Sequence, residues 1–248
     1  MSFADLHRPG DPFLLPNAWD FASGAILARQ GFRAIATTSL GVAIAAGLPD
    51  GQGVAREETA RVASRLRRLP VYLTVDLEQG FSDDPESVAE FVAGLGVEGV
   101  NLEDGLDDPD LLCRKIRAVK RAAPAVFVNA RTDTYWLGRP SLVDTRRRLD
   151  AYVEAGADGV FVPGLQDPAT IESLVGERPL NILLARDGLS LRQLAELGVA
   201  RVSTGSLLFR MALGTLQRWA AGEADAAEPP SYAEVDALTR GAIEAPGE

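Results

Sequence analysis

A chain of 248 residues with 46% hydrophobic and 24% charged content has the make-up of an ordered globular protein, which excludes intrinsic disorder and collagen-like architecture. Thirty-five acidic against 25 basic residues leave a net charge of −10, and no basic stripe with interleaved aromatics offsets it, so no nucleic acid is expected as a partner. No apolar run approaches the roughly 20 residues a membrane span needs, the opening MSFADLHRPGDPF lacks an apolar leader core, and the single cysteine rules out a disulfide framework; the expectation is a cytoplasmic protein with no membrane partner.

Along the chain, short β-branched or apolar runs alternate with longer helical patterns. Strands are expected over Phe13–Leu15, Ala34–Thr37, Val71–Val75, Gly99–Leu102, Ala125–Asn129, Gly159–Val162, Leu180–Leu184 and Arg201–Ser203. Helices are expected over Asp20–Gln30, Arg56–Arg68, Pro85–Leu95, Pro109–Ala122, Leu142–Ala155, Pro168–Val175, Leu191–Leu197 and Ser206–Ala221. Such alternation implies βαβ crossovers and a parallel sheet, and eight units suggest closure into an α/β (β/α)8 TIM-type barrel. The strings GFRAIAT, GVEGVNLED, GADGVFVPG and GVARVSTG repeat one device, a glycine at a helix C-terminus just before a strand. Ala221–Pro230 reads as an acidic tether into an amphipathic helix over Tyr232–Ile243. Residues 1–248 are thus expected to form one domain, with 222–248 its C-terminal tether and helix, and a helix beyond a complete barrel points to oligomerisation.

The inventory of reactive side chains is short. His7, the only histidine, precedes the first expected element; Lys115, Lys120 and Cys113 all fall on the helix expected over Pro109–Ala122. This argues against a histidine triad, histidine-ligated zinc, a cysteine nucleophile and a Schiff-base lysine. What remains is carboxylates, arginine, hydroxyls, backbone amides and a hard cation.

In barrels of this type chemistry sits at the C-terminal strand ends. Asp76 and Glu78 end one strand with the two-residue spacing that places both on one face of an extended chain, and Glu103 ends the next. Three carboxylates at one point call for Mg2+ or Mn2+, unless salt bridges or caps account for them. Arg131, beside them, suits a substrate carboxylate or phosphonate, or a structural pairing with Glu103 or Asp133. Thr37–Gly41 offers hydroxyls and N–H groups to an oxyanion, or simply caps a helix. Asp50 lies in a glycine-rich loop long enough for a lid, where a turn aspartate is the plainer reading. Ser203–Ser206 could present amides to a phosphate, with Ser206 as a simple N-cap the simpler account, and no GxGxxG or GxxxxGK[ST] is present.

From PGDPFLLPNAWD through ATTSLGVAIAAGLPDG, TVDLEQGFSDDP, GVNLEDG, VNARTDTY, AGADGVFVPG and PLNILL to ARVSTG, the chain resembles the isocitrate lyase/phosphoenolpyruvate mutase superfamily. The resemblance implies a (β/α)8 barrel with a C-terminal helix exchanged between subunits of a homotetramer built as a dimer of dimers. It also implies Mg2+ or Mn2+ and a small 2-oxo or 2-hydroxy carboxylate. By position it makes Asp76 the residue nearest the metal, with Glu78 and Glu103 holding it through water. Thr38, Ser39, Leu40, Arg131 and Asn181 become substrate-binding residues, and Asp50 and Arg131 catalytic ones. Where isocitrate lyases carry a catalytic cysteine loop, this chain reads Glu103-Asp104-Gly105-Leu106-Asp107-Asp108-Pro109, and Pro163 stands near the position of a histidine found in phosphonate enzymes. The implied activity is a C–C bond lyase working through an enolate. P–C mutase or hydrolase chemistry, and metal-dependent binding of a 2-oxo acid with little catalysis, are the alternatives.

Overall fold

The computed structural model describes residues 1–223 and 229–239. Its strands are β1 (Phe13–Leu15), β2 (Asn17–Ala18), β3 (Ala34–Thr37), β4 (Tyr72–Asp76), β5 (Gly99–Glu103), β6 (Phe127–Arg131), β7 (Gly159–Phe161), β8 (Leu180–Leu183) and β9 (Arg201–Ser203). All pair in parallel, in the order β1-β9-β8-β7-β6-β5-β4-β3-β2. The first expected strand is therefore longer and divided. Leu15 pairs with Ser203 on one side, Asn17 pairs with Ala36 on the other, and Pro16 between them has no N–H to give. The Pro16 carbonyl still accepts from Ala36 N at 2.9 Å, so β1 and β2 form one stave of an α/β barrel that closes on itself.

Helices α1 (Phe21–Arg29), α3 (Arg56–Leu66), α4 (Pro85–Leu95), α5 (Pro109–Ala122), α6 (Leu142–Glu154), α7 (Pro168–Leu174) and α8 (Leu191–Glu196) link the strands. The short α2 (Ser39–Ala45) was not foreseen. Three helices start on the same two residues: Asp84, Asp108 and Asp167 each cap an N-terminus with the side chain, and each is followed by proline. Glycines 31, 96, 156 and 198 close the preceding helices at φ 86°, 60°, 107° and 85°, the left-handed conformation the repeated strings called for.

Two expected strands begin too early. Val71 N and Val126 N close turns on Leu69 and Ala123, so β4 and β6 start later and run further, and Asp76, Glu103 and Arg131 become the last residues of their strands. His7 follows a 3-10 turn (Ala4–Leu6) instead of preceding all regular structure. Phe3, Leu6 and Phe127 pack there with Leu15, sealing the N-terminal pole of the barrel, and the His7 ring stacks on Phe127 at 4.1 Å.

The main apolar core lies between the strands and their helices. Helix α9 (Leu207–Ala220) departs from this pattern: Phe209 is its only buried residue, while Met211, Leu216 and Trp219 are exposed, the last at 70%. Helix α10 (Tyr232–Asp236) is a single short stretch continued by a 3-10 turn (Ala237–Thr239), not a helix running unbroken from Tyr232. The turn packs on α1, with Leu238 in the core and the Arg29 guanidinium donating to the Ala237 carbonyl. The remainder of the expected tether and helix, residues 224–228 and 240–248, lies outside the described residues. Among the described residues no helix is long and apolar enough to cross a membrane.

Candidate functional site

The strand ends surround a cavity of about 370 Å³, lined by Thr38, Ser39, Leu40, Asp50, Asp76, Glu103 and Arg131 among others. Asp76 is tied to the end of the neighbouring stave, its N–H donating to Thr37 Oγ1 at 2.9 Å and its Oδ2 accepting from Ser39 N at 3.3 Å. Thr38 N donates to the Ala18 carbonyl, so two of the amides expected to greet an oxyanion are occupied. Thr38 is the N-cap of α2 but makes no side-chain cap bond.

Glu103 and Arg131 are register partners at the ends of β5 and β6. Arg131 Nη1 lies 2.7 Å from Glu103 Oε2 and its Nε donates to Asp133 Oδ1 at 2.6 Å. The structural pairing is thus present with both carboxylates, and Arg131 lines the cavity as well. Burial works against its charge, but Glu103, Asp133 and Asp76 outweigh it and hold the pKa above the ordinary value. Burial pushes Glu103 up to about 8 despite Arg131, with Asp133, Asp76 and Glu78 adding to the rise. Asp50 and Glu78 are raised for the same first reason, desolvation, against hydrogen bonds from Ser39 and Gly53 respectively.

Glu78 does not share a strand face with Asp76. The strand stops at Asp76, and Glu78 takes a left-handed φ of 51° in the following turn. Buried there, it accepts from Gly53 N at 3.0 Å and so anchors the loop that carries Asp50. Asn181 sits on β8 inside the barrel and does not line the cavity; its Nδ2 donates to Ser203 Oγ at 3.3 Å.

Two residues essential to the geometry carried no signal in the sequence reading. Asn17 Oδ1 accepts from Thr204 N (3.0 Å) and Gly205 N (2.8 Å) while its Nδ2 donates to the Thr37 carbonyl. The amides considered for a phosphate are thus taken by a side chain, and Ser206 caps α9 without a side-chain cap bond. Asp104, fully buried, accepts from Thr132 Oγ1 (2.8 Å), Tyr152 Oη (2.7 Å), Arg148 Nη1 (3.0 Å) and Asp133 N (3.1 Å). It clamps the loop after β6 and thereby aims Asp133 at Arg131.

The donor set suits a hard divalent cation: every acidic ligand is oxygen, and Glu78 Oε1 and Asp50 Oδ1 are buried without a hydrogen-bond partner. Among the described residues no three histidine, cysteine, aspartate or glutamate side chains converge closely enough to ligate one ion directly. A cation at this point would therefore keep much of its water, in keeping with the reluctance of Mg2+ to shed it.

The family model described as phosphoenolpyruvate phosphomutase matches residues 3–223. An uncharacterized Mycobacterium tuberculosis protein, Rv1998c, is 44% identical over 96% of this chain and 95% of its own length. The 2-methylisocitrate lyase of Bacillus subtilis is 28% identical over 73% of this chain and 65% of that protein. Among solved structures, a phosphonopyruvate hydrolase in complex with oxalate and Mg2+ has the same fold at a TM-score of 0.79 and 24% identity, covering 96% of this chain and 95% of the other. Lyases, mutases and hydrolases of small carboxylates thus share this barrel, and the chain belongs to the phosphoenolpyruvate mutase/isocitrate lyase superfamily.

Proposed function

We propose that this protein is a Mg2+- or Mn2+-dependent carbon–carbon lyase that cleaves a small 2-oxo or 2-hydroxy carboxylate through an enolate. The observation that carries the reading is the meeting of Asp76, Glu103, Arg131 and Asp50 around one cavity at the C-terminal strand ends. A divalent ion held there supplies Lewis-acid charge to a carboxylate and its neighbouring oxo group. The chain's own residues do the rest. Arg131, fixed by Glu103 and Asp133, orients the substrate and offsets charge that develops as the bond breaks. Asp50, with an unpartnered carboxylate oxygen and a pKa raised by burial, accepts and returns the proton. The loop after β5 holds neither lysine nor cysteine, which separates this site from a cysteine-dependent lyase.

The protein works as a homo-oligomer in this reading, a dimer of dimers. The exposed apolar side of α9, with Met211, Leu216 and Trp219, has no cover among the described residues and is the natural seat of a second copy.

The test is a thermal-shift titration of metal-stripped protein with Mg2+ and with pyruvate, oxalate, oxaloacetate, 2-oxoglutarate and phosphonopyruvate. A native-state ligand raises stability by RT ln(1 + [L]/Kd). Stabilisation by an acid only when Mg2+ is present supports the site; no shift with any metal–acid pair removes it. Turnover of phosphonopyruvate above that of every carbon acid would replace C–C with P–C chemistry.

A further inference from the structure

The walls of the cavity differ in kind. Four carboxylates, Asp50, Asp76, Glu103 and Asp133, share the lining with the apolar Trp136, Leu137, Phe161, Pro163 and Leu183. Phe161 is buried at the end of β7, whereas Trp136 and Leu137 are 53% and 51% exposed on the segment after β6. The Arg131 guanidinium carbon stands 5.8 Å from the Phe161 ring centre and 5.9 Å from that of Trp136, so both rings flank the cationic anchor.

Among the described residues that line the cavity, Arg131 is the only cation. Its fork already carries Glu103 at 2.7 Å and Asp133 at 2.6 Å. One substrate carboxylate can be accommodated beside Arg131 and Asp76, where a divalent cation would add its charge. A second anionic group turned toward Trp136 and Phe161 would give up part of its water and meet no cation among the residues lining this cavity, which disfavours it. An alkyl or aryl group in the same place loses nothing and buries its surface.

Resting on the enolate-lyase reading above, we propose that the substrate is a 4-hydroxy-2-oxo monocarboxylate with an apolar C4 substituent, cleaved to pyruvate and an apolar aldehyde. The C3–C4 bond breaks and its electron pair enters the 2-oxo unit as an enolate. The C4 hydroxyl proton passes to the Asp50 carboxylate as that oxygen becomes the aldehyde carbonyl. The same proton returns from Asp50 to C3 and pyruvate is formed. All atoms of the substrate appear in the two products, and no oxidant or reductant is needed. Trp136 and Phe161 set the specificity, since they meet the part of the substrate that does not become pyruvate.

The experiment uses the full chain loaded with Mg2+ and two readouts. Binding of oxalate, 2-oxo-4-phenylbutanoate and 2-oxoglutarate is measured by calorimetry. Release of pyruvate and aldehyde from 4-hydroxy-2-oxo-4-phenylbutanoate and 4-hydroxy-2-oxoglutarate is followed by chromatography. The expected result is that the phenyl acid binds and turns over at least tenfold better than the dicarboxylate. Trp136→Ala should shrink that ratio to below threefold. Trp136→Lys, a change at a half-exposed position, should invert it by giving the second carboxylate a partner.

Oxalate bound with Mg2+ but the dicarboxylate preferred over the phenyl acid overturns this substrate and leaves the lyase reading standing. Arg186 and Arg210 line the groove of about 880 Å³ that shares Trp136, Leu183 and Ser206 with the cavity. A dicarboxylate preference abolished by Arg186→Ala or Arg210→Ala would show that the distal anion is held there. Failure of oxalate to bind with Mg2+ overturns both the reading and the substrate.

Discussion

Arg201 Nη2 donates to Asn101 Oδ1 at 3.0 Å in the middle of the barrel, and Asn129 Nδ2 donates to the same oxygen at 2.9 Å. Arg201 is fully buried, its Nε and Nη1 have no hydrogen-bond partner, and burial lowers its pKa to about 9 although Asp76 opposes the shift. A charge in such a place is sustained against desolvation only by one amide oxygen and the more distant Asp76 carboxylate. Arg201→Met removes it and orphans nothing, because Asn101 Oδ1 keeps Asn129. The variant should be as stable as the parent or more so, by up to about 1–4 kcal/mol in chemical denaturation. A loss of stability would mean that the guanidinium is a needed counter-charge for the carboxylates above it.

His7 gives a dependence on pH that can be isolated. A carbonyl can only accept, so His7 Nδ1 carries the proton that meets the Phe3 carbonyl at 3.2 Å, and Nε2 is buried without a partner. Burial first, then Arg201, lower its pKa from 6.5 to about 3. A base depressed by folding is neutral in the native state and protonated in the unfolded one between those values. Its contribution to stability is complete above about pH 6.5 and is lost as the pH falls toward 3. His7→Phe should flatten the curve of stability against pH in that window by up to about 1.4 kcal/mol per pH unit. Since His7 is the sole imidazole, one proton resonance also reports whether it titrates.

Asp104 is the carboxylate whose loss should damage the fold most. Asp104→Ala leaves the buried Tyr152 hydroxyl without its acceptor and the Arg148 charge with Asp144 and the Asp107 carbonyl alone. The expected loss is about 3–5 kcal/mol. In protein that still folds, turnover should fall as well, because Asp133 is no longer fixed behind Arg131.

For the chemistry, Asp50→Asn and Asp76→Asn should separate. Asp50→Asn removes a proton acceptor and should lower kcat by about 10²–10⁴ while metal-dependent oxalate affinity stays within severalfold. Asp76→Asn should abolish metal-dependent oxalate affinity itself. Full turnover by Asp50→Asn with the best substrate would remove Asp50 from the reaction.

Trp219→Glu and Leu216→Glu test the assembly. Both side chains are exposed in one chain, so neither change should lower the stability of the barrel, but each should shift the protein to a smaller species in analytical ultracentrifugation. An unchanged mass would place the subunit contact elsewhere.

The barrel was legible because its signals are local: glycine at four helix ends, Asp-Pro at three helix starts, and apolar runs of strand length between them. Asp76, Glu103 and Arg131 were legible because a charged residue at the end of such a run has few reasons to be there. Other features depended on partners far away in the chain. Nothing around Asn17 announces that it will bind Thr204, nothing around Asp104 announces Arg148 and Tyr152, and Trp136 gains meaning only beside Phe161. Glu78 misled because alternation along a strand says nothing once the strand has ended, and its φ of 51° belongs to a turn.

The divided stave at Pro16 has a consequence for the order of assembly. Asn17 and Thr204 are 187 positions apart, and among the described residues β1 pairs with β9 alone. On the ribosome the first stave leaves the exit tunnel first, yet half of its backbone bonds must wait for nearly the whole chain to follow. Ring closure is therefore a late step of folding: the cluster of Phe3, Leu6 and Leu15 can pack on Ala34, Ala36 and Phe127 as these emerge, but the β1 backbone stays unpaired until β9 is made.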